Sequence, residues 1–337
     1  MTSSYPRPGQ VALLCEGDLI GYEATLFQKW TGIELGNEPL VDIWSCGTST
    51  SIFGISDAIG RSRPIFAIED RDFRSIDESL EDCKRNRKSR ENRDIRIVTW
   101  RTWDRCEVEN YLLDPGVLLP VFRAAFGCGD DDIIKALNEI LPALALFQAS
   151  QHAMARARRT WSSTDPASVL PSEIRSRPEW KDNGIISPDY EAFRAGLEKN
   201  GQAWIEQIRT VQCDVVGDFD AKFNVWKGCQ WEDSFWRNDW AGKEILHWLR
   251  IVMTHRFGWT VDAESGRREA LNWTMSRGKR ETQDRKIEAA LRPRMIDQFL
   301  TALPTLSKEI RDEFDAMKTA IKSWSVNPAQ EASEITN

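Results

Sequence analysis

Short apolar runs alternate with segments of helical spacing through the first hundred positions. Residues 11–15 (VALLC), 40–44 (LVDIW), 64–68 (PIFAI) and 95–100 (IRIVTW) read as strands. The unbroken apolarity of the first and third suits strands covered on both faces of a parallel sheet. Between them, 21–30 puts Leu26, Phe27 and Trp30 at helical spacing, 52–59 is a helix behind a small-residue loop at 45–51, and 77–90 is a charged helix. The βαβαβαβ rhythm predicts an α/β, Rossmann-like domain over residues 1–125, its central parallel sheet joined by right-handed crossovers.

Beyond about residue 125 the period becomes helical throughout. Ile133, Ile134, Leu137, Ile140 and Leu141 form a stripe behind the acidic start at 130–132. Ser187 is expected to cap another helix, with Pro188 in its first turn. Further helices are expected at 241–257, ending at Gly258, around Met295, Ile296, Phe299 and Leu300, and around Ile310, Phe314, Met317 and Ile321. A mainly helical C-terminal domain therefore covers 126–325, followed by a polar, disordered tail at 326–337. The fifteen tryptophans, several of them between 226 and 248, read as core aromatics of this domain, with base-stacking platforms as the alternative.

Composition narrows the chemistry. The chain has 337 residues, 41% hydrophobic and 29% charged, as expected of a globular fold. No stretch approaches the roughly 20 apolar residues of a membrane span, and residues 1–10 lack the apolar core of a signal peptide. The expectation is a protein with no membrane partner. Seven cysteines without a CxxC pair argue against zinc fingers and disulfide frameworks, and for a reducing, cytoplasmic setting. With only three histidines (His152, His247 and His255), metal chemistry must rest on carboxylates, hence on a hard ion such as Mg²⁺ or Mn²⁺. His247 and His255, eight apart on one helix, are better read as packing or surface residues than as ligands. A net charge of −7 argues against a large DNA-coating surface, though not against a local basic patch.

The acids fall where a parallel sheet would gather them, at the C-terminal ends of strands. Glu16-Gly17-Asp18 follows the first strand, Gly47-Thr48-Ser49 the second, Asp70-Arg71-Asp72 the third, and Glu107 and Glu109 the fourth. Clustered carboxylates would repel one another unless a cation joined them. Two divalent ions about 4 Å apart can neutralise a phosphodiester and activate water. Gly17 allows a tight turn behind Glu16, and Asp70 and Asp72 can both be ligands only if the loop curls. Glu69 should face away from Asp70, and Asp18 is better placed to cap a helix than to bind metal. The basic run Lys84, Arg85, Arg87, Lys88, Arg90, Arg93 and Arg96 could track a phosphate backbone, or be a solvated face paired with Glu81, Asp82 and Glu91. A second group, Arg277, Lys279, Arg280, Arg285 and Lys286, could contact nucleic acid or a partner.

Cys15-Glu16-Gly17-Asp18, Glu23, the Ser45-Cys46-Gly47 loop, Asp70-Arg71-Asp72-Phe73 and the Glu107–Leu113 stretch EVENYLL together resemble the TOPRIM domain over residues 10–125. They are most similar to the variety found in overcoming-lysogenization-defect (OLD-like) nucleases and ATPase-linked anti-phage proteins. The resemblance implies a Mg²⁺-dependent phosphodiester-cleaving site in which Glu16 is general acid/base and ligand, and Asp70, Asp72 and Glu109 hold metal. Glu107 and Glu23 are further ligand candidates. Many relatives carry an acid four residues after the first Glu, where this chain has Ile20; Glu23, seven residues on, matches a subset of them better. Lys243, in Gly242-Lys243-Glu244, is the candidate for the lysine that steadies transition-state charge in related nucleases. The chain has no GxxxxGK[ST] stretch and hence no P-loop of its own. The resemblance therefore extends to two-component PARIS-type defence systems, in which a toxic TOPRIM RNase is restrained by a separate ATPase. It implies tRNA, or else DNA, as substrate, an ATPase partner, and leaves a homodimer open.

Two other readings compete. A haloacid-dehalogenase-type phosphatase also needs DxD after a strand, with the first Asp as nucleophile, but its motif sits on the first strand and leaves Glu16 unexplained. A catalytically silent TOPRIM-like subunit that only binds an ATPase is the non-enzymatic alternative.

Overall fold

A computed structural model describes residues 11–18, 21–35, 41–160, 178–181, 184–207, 215–260, 268–269 and 277–326. The lead-in at 1–10, Leu19, Ile20, Cys213, the tail beyond 326 and the side chains of Arg277, Lys279 and Arg280 lie outside the described residues.

Four parallel strands form the central sheet: β1 (Val11–Cys15), β2 (Val41–Ser45), β3 (Ile65–Glu69) and β4 (Ile97–Thr102), in the order β2-β1-β3-β4. Helices α1 (Tyr22–Leu35), α2 (Ser49–Ile59) and α3 (Ile76–Glu91) connect them. Every residue of β1 and β3 is buried, as their unbroken apolarity requires of central strands. Ala12, Leu14, Ile65, Ala67 and Ile97 from the sheet pack with Ile52, Cys83 and Trp100 in one apolar cluster. Helix α2 begins three residues earlier than its apolar pattern shows, because the Thr48 hydroxyl accepts the Ser51 amide and nucleates the first turn inside the small-residue loop. Helix α3 carries a full capping box, Ser75 with Glu78.

Among the described residues, the rest of the chain is helical with two minor hairpins. It comprises α4 (Glu109–Leu112), α5 (Pro115–Phe126), α6 (Asp130–Thr160), the hairpin β5 (Glu179–Lys181) and β6 (Gly184–Ile186), α7 (Tyr190–Gln207), α8 (Val215–Trp226), α9 (Phe235–Asp239), α10 (Gly242–Phe257), the hairpin β7 (Trp259–Thr260) and β8 (Arg268–Glu269), α11 (Arg277–Ala302) and α12 (Lys308–Val326). The cap of α7 is Asp189, whose carboxylate accepts the Ala192 amide at 2.7 Å; the expected Ser187 instead donates to the Ala143 carbonyl. Gly258, at φ 70°, ends α10 where a left-handed residue is needed. Among the described residues α6 alone approaches membrane-spanning character. Its residues Asp130–Arg156 are long and apolar enough to cross a membrane, and 72% of the most apolar window is buried in the protein, as in a core helix.

The chain divides into two compact units, at boundaries other than 125/126. Of the described residues, the first takes those up to Arg71, Ser75–Leu118 and those from Ala290 to Val326; the second takes Asp72–Arg74 and those within Leu119–Ala289. Helix α12 thus belongs to the α/β unit, not to the helical one. Its Phe314 packs edge-on to Trp30 and against Trp103, Tyr111 and Phe299. In the second unit α6 packs on α8 and α10, and the buried Trp226, Trp236, Trp240 and Trp248 fill its core. That is the core-aromatic role, not a row of exposed stacking platforms.

Candidate metal centre

The order β2-β1-β3-β4 places the topological switch between β1 and β3, where open parallel sheets bind ligands at their C-terminal edge. The two strands are hydrogen-bonded neighbours with Leu14 beside Ala67, and neighbouring strands lie about 4.8 Å apart. Glu16 emerges two residues past Leu14 and Asp70 three past Ala67, so both leave the same edge of the sheet side by side. Behind Glu16 the chain must turn sharply. Gly17 and Gly47 do so at φ 81° and 82°, conformations that favour glycine. Their amides and carbonyls exchange hydrogen bonds of 3.0 and 3.3 Å, and the Ser45 hydroxyl donates to the Gly17 carbonyl.

Glu23 lies in the first turn of α1 and is 4% exposed. The Trp103 indole donates to its carboxylate at 2.7 Å, and the backbone amide of Glu16 donates as well. Glu23 therefore holds the Glu16 backbone in place. From the other side, the loop after β4 brings Glu107, 3% exposed, and Glu109, at the first turn of α4. The Asn110 side chain accepts the Glu107 amide at 3.0 Å, and Asn110 N–H donates back to the Glu107 carbonyl, closing a tight turn.

The charges of these acids bear on one another. Burial, followed by the charges of Glu23, Glu107, Glu109 and Glu16, holds the Asp70 carboxyl well above the ordinary aspartate range. Burial also raises Glu23; its hydrogen bond from Trp103 opposes the rise, while Glu16 and Glu109 add to it. Beside them the buried thiol of Cys15 is pushed far up, and that of Cys46 to about 11, so neither is a nucleophile. Asp70 thus lies in the field of four other carboxylates, which come from three further chain segments. Oxygens Oε1 of Glu16 and Oδ1 of Asp70 are buried and accept no hydrogen bond, although both residues make other polar interactions. A hard, oxygen-seeking divalent cation fits this donor set. Among the described residues no three His, Cys, Asp or Glu side chains are already drawn together as a ligand shell.

Asp72 is exposed and stands on a left-handed turn at φ 51°, the curl that the Asp-Arg-Asp spacing requires. It groups with the second unit, where the adjoining Phe73 lies edge-on to His152. Glu69 is buried beneath the edge, where its carboxylate accepts the Trp100 indole. Lys243 is an exposed residue in the first turn of α10, in the second unit. His247 pairs with Asp284 and His255 packs on Trp180, the bland roles expected of them.

The basic run on α3 is mostly neutralised on its own helix. Lys84 bonds Glu81, Arg85 bonds Asp82 and Arg87 bonds Glu91, while Arg93 reaches Asp57 at 2.9 Å. Arg90 is not a surface contact at all. It is 8% exposed, its guanidinium lies 4.4 Å from the Phe53 ring centroid and 4.9 Å from that of Trp100, and burial lowers its pKa. The sequence run hides this because the helical period turns one of the helix's five cations toward the sheet. Lys84, Arg85, Lys88 and Arg93 line an open groove together with Glu81, Ser89 and Asn92.

No family model matches this chain, and no curated protein or solved structure matches it. Its function is therefore argued from the site.

Two residues escaped the sequence, Trp103 and Glu313, and Tyr111 was read only as part of the EVENYLL stretch. The signal for Glu313 was present, since it interrupts the apolar face formed by Ile310, Phe314, Met317 and Ile321.

Proposed function

We propose that this chain is a Mg²⁺- or Mn²⁺-dependent nuclease of the TOPRIM kind. What supports the reading is that the charges of Glu16, Glu23, Glu107 and Glu109 all bear on the buried Asp70 at the switch point of a parallel sheet. A bound divalent cation would offset phosphoryl charge and make a water easier to deprotonate. The protein's own groups supply the rest. Glu16, half-buried at the strand end, is the general base that takes a proton from the attacking water. Glu23, bonded to Trp103 and to the Glu16 amide, fixes where that base stands. Asp70 and Glu109 hold metal, and Glu107 completes the acidic rim; Asp72 and Lys243, which group with the second unit, are given no part in it.

The biological reading follows the resemblance of the motifs: a cytoplasmic anti-phage effector that cleaves RNA, tRNA in particular, under the restraint of a separate ATPase. Among the described residues no cysteine forms a disulfide, which fits a reducing compartment. The test is incubation of purified protein with total tRNA and with plasmid DNA, with Mg²⁺ or with EDTA, beside Glu16→Ala. Metal-dependent cleavage lost in the variant supports the reading. No cleavage of either substrate alongside tight binding to an ATPase would replace it with the silent-subunit alternative, and an aspartyl-phosphate on Asp70 would replace it with the phosphatase.

A further inference from the structure

Glu313 is a buried carboxylate to which the proposed chemistry gives no task. It sits on α12, 202 residues from Tyr111 in sequence, and its side chain is 1% exposed. Oε1 accepts from Arg101 Nη2 at 2.9 Å and from the Asp104 amide at 3.1 Å, and Oε2 takes the Tyr111 hydroxyl. The chain of bonds then continues. The Tyr111 oxygen accepts the Arg105 amide at 3.3 Å, Arg105 Nη1 donates to the Asn110 carbonyl at 2.7 Å, and the Asn110 side chain accepts the Glu107 amide at 3.0 Å. One distant carboxylate thus anchors both ends of the segment 104–111, the segment that carries Glu107 and Glu109. Packing alone does not need an acid here. Its neighbour Phe314 already fills the aromatic cluster with Trp103 and Tyr111, and a buried carboxylate costs free energy unless its bonds are used.

We propose that Glu313 is a positioning residue that holds segment 104–111 so that Glu107 and Glu109 face Asp70, making the C-terminal helix part of the metal centre. The proposal rests on the metal reading above. Conserved geometry in outer-shell partners commonly governs metal affinity by 10- to 100-fold.

The experiment compares wild type, Glu313→Leu, Glu313→Gln, Tyr111→Phe and Glu16→Ala by two readouts: the Mn²⁺ dissociation constant from the electron-spin resonance of free Mn²⁺, and amide hydrogen exchange across 104–111. Glu313→Leu is expected to weaken Mn²⁺ binding about tenfold or more and to speed exchange in 104–111, with strands β1 and β3 as protected as before. Glu313→Gln, which keeps an acceptor for Arg101 and Asp104, restores both. Tyr111→Phe, losing one bond, falls between. A lower melting temperature in Glu313→Leu with unchanged Mn²⁺ affinity and unchanged exchange would overturn the proposal. Should that variant fail to fold, wild-type behaviour of Tyr111→Phe in both readouts would overturn it instead. If wild type and Glu16→Ala bind Mn²⁺ alike, the metal reading falls, while exchange in 104–111 still decides whether Glu313 anchors the segment.

Discussion

Replacing Glu313 by Gln tests the electrostatics of this buried group through stability alone. Burial raises its carboxyl from 4.5 to about 7; the Arg101 charge pulls it down and the Asp104 charge pushes it further up. A raised folded-state value means that the folded protein holds the proton more tightly than the unfolded chain. The resulting stabilisation is fully present below about pH 4.5 and disappears as pH rises through about 7. At about 1.4 kcal/mol per pH unit the loss amounts to about 3 kcal/mol. Gln cannot ionise and keeps the acceptor for Arg101 and the Asp104 amide, so its stability lacks this dependence. Urea unfolding of both proteins at intervals from pH 4 to 8.5 should show Glu313→Gln gaining about 3 kcal/mol on wild type across that window. Groups common to both cancel in the difference. A difference flat with pH would show that Glu313 titrates normally. A difference of opposite sign would show that the Arg101 ion pair outweighs burial.

Other expectations follow from the same structure. Glu16→Ala should lower metal-dependent cleavage by about 10²- to 10⁴-fold, the usual worth of a general base, measured as single-turnover rate at saturating Mg²⁺. Asp70 and Glu23 are also held above their ordinary values, so the stability they contribute is present in acid and lost as pH rises through their raised values. Mn²⁺ fixed at a hundredfold its pH 8 dissociation constant should therefore stabilise by about 2.7 kcal/mol near pH 8 and by less near pH 5, and Asp70→Asn should abolish the effect in thermal melts. Arg90→Ala should cost about 2 kcal/mol in urea unfolding through its lost stacking on Phe53 and Trp100, whereas Lys88→Ala should stay within about 0.5 kcal/mol. Lys84→Glu with Lys88→Glu should raise the dissociation constant for tRNA and flatten its salt dependence if the groove on α3 takes a phosphate backbone; unchanged binding would leave that face as solvated surface.

The sheet was legible because its central strands are buried on both faces and announce themselves as unbroken apolar runs. β1 falls where the pattern put it, and β3 is displaced by a single residue. The acids at strand ends were legible for the same reason: a strand boundary fixes which residue reaches the edge. What could not be read was anything set by distant contact. Nothing local distinguishes Arg90 from the cations around it; only the position of Phe53 and Trp100 does. The membership of α12 in the α/β unit depends on Phe314 meeting Trp30 and Trp103, almost three hundred and over two hundred positions away. The cap of α7 shows a subtler failure. Ser187, Pro188 and Asp189 are all residues that open helices, and the choice of Asp189 is settled by Ser187 turning to the Ala143 carbonyl. Asp72 lies between the two cases: the need for a curl was readable from its spacing to Asp70, but its association with the helical unit was not.

The most direct measurement is X-ray diffraction from crystals grown with Mn²⁺, with data collected at the manganese absorption edge. The account predicts an anomalous peak coordinated by Glu16 and Asp70, with Glu109 close by, which vanishes in Glu16→Ala. Crystals diffracting well at millimolar Mn²⁺ with no peak at that strand edge, or with manganese bound only elsewhere, would contradict it.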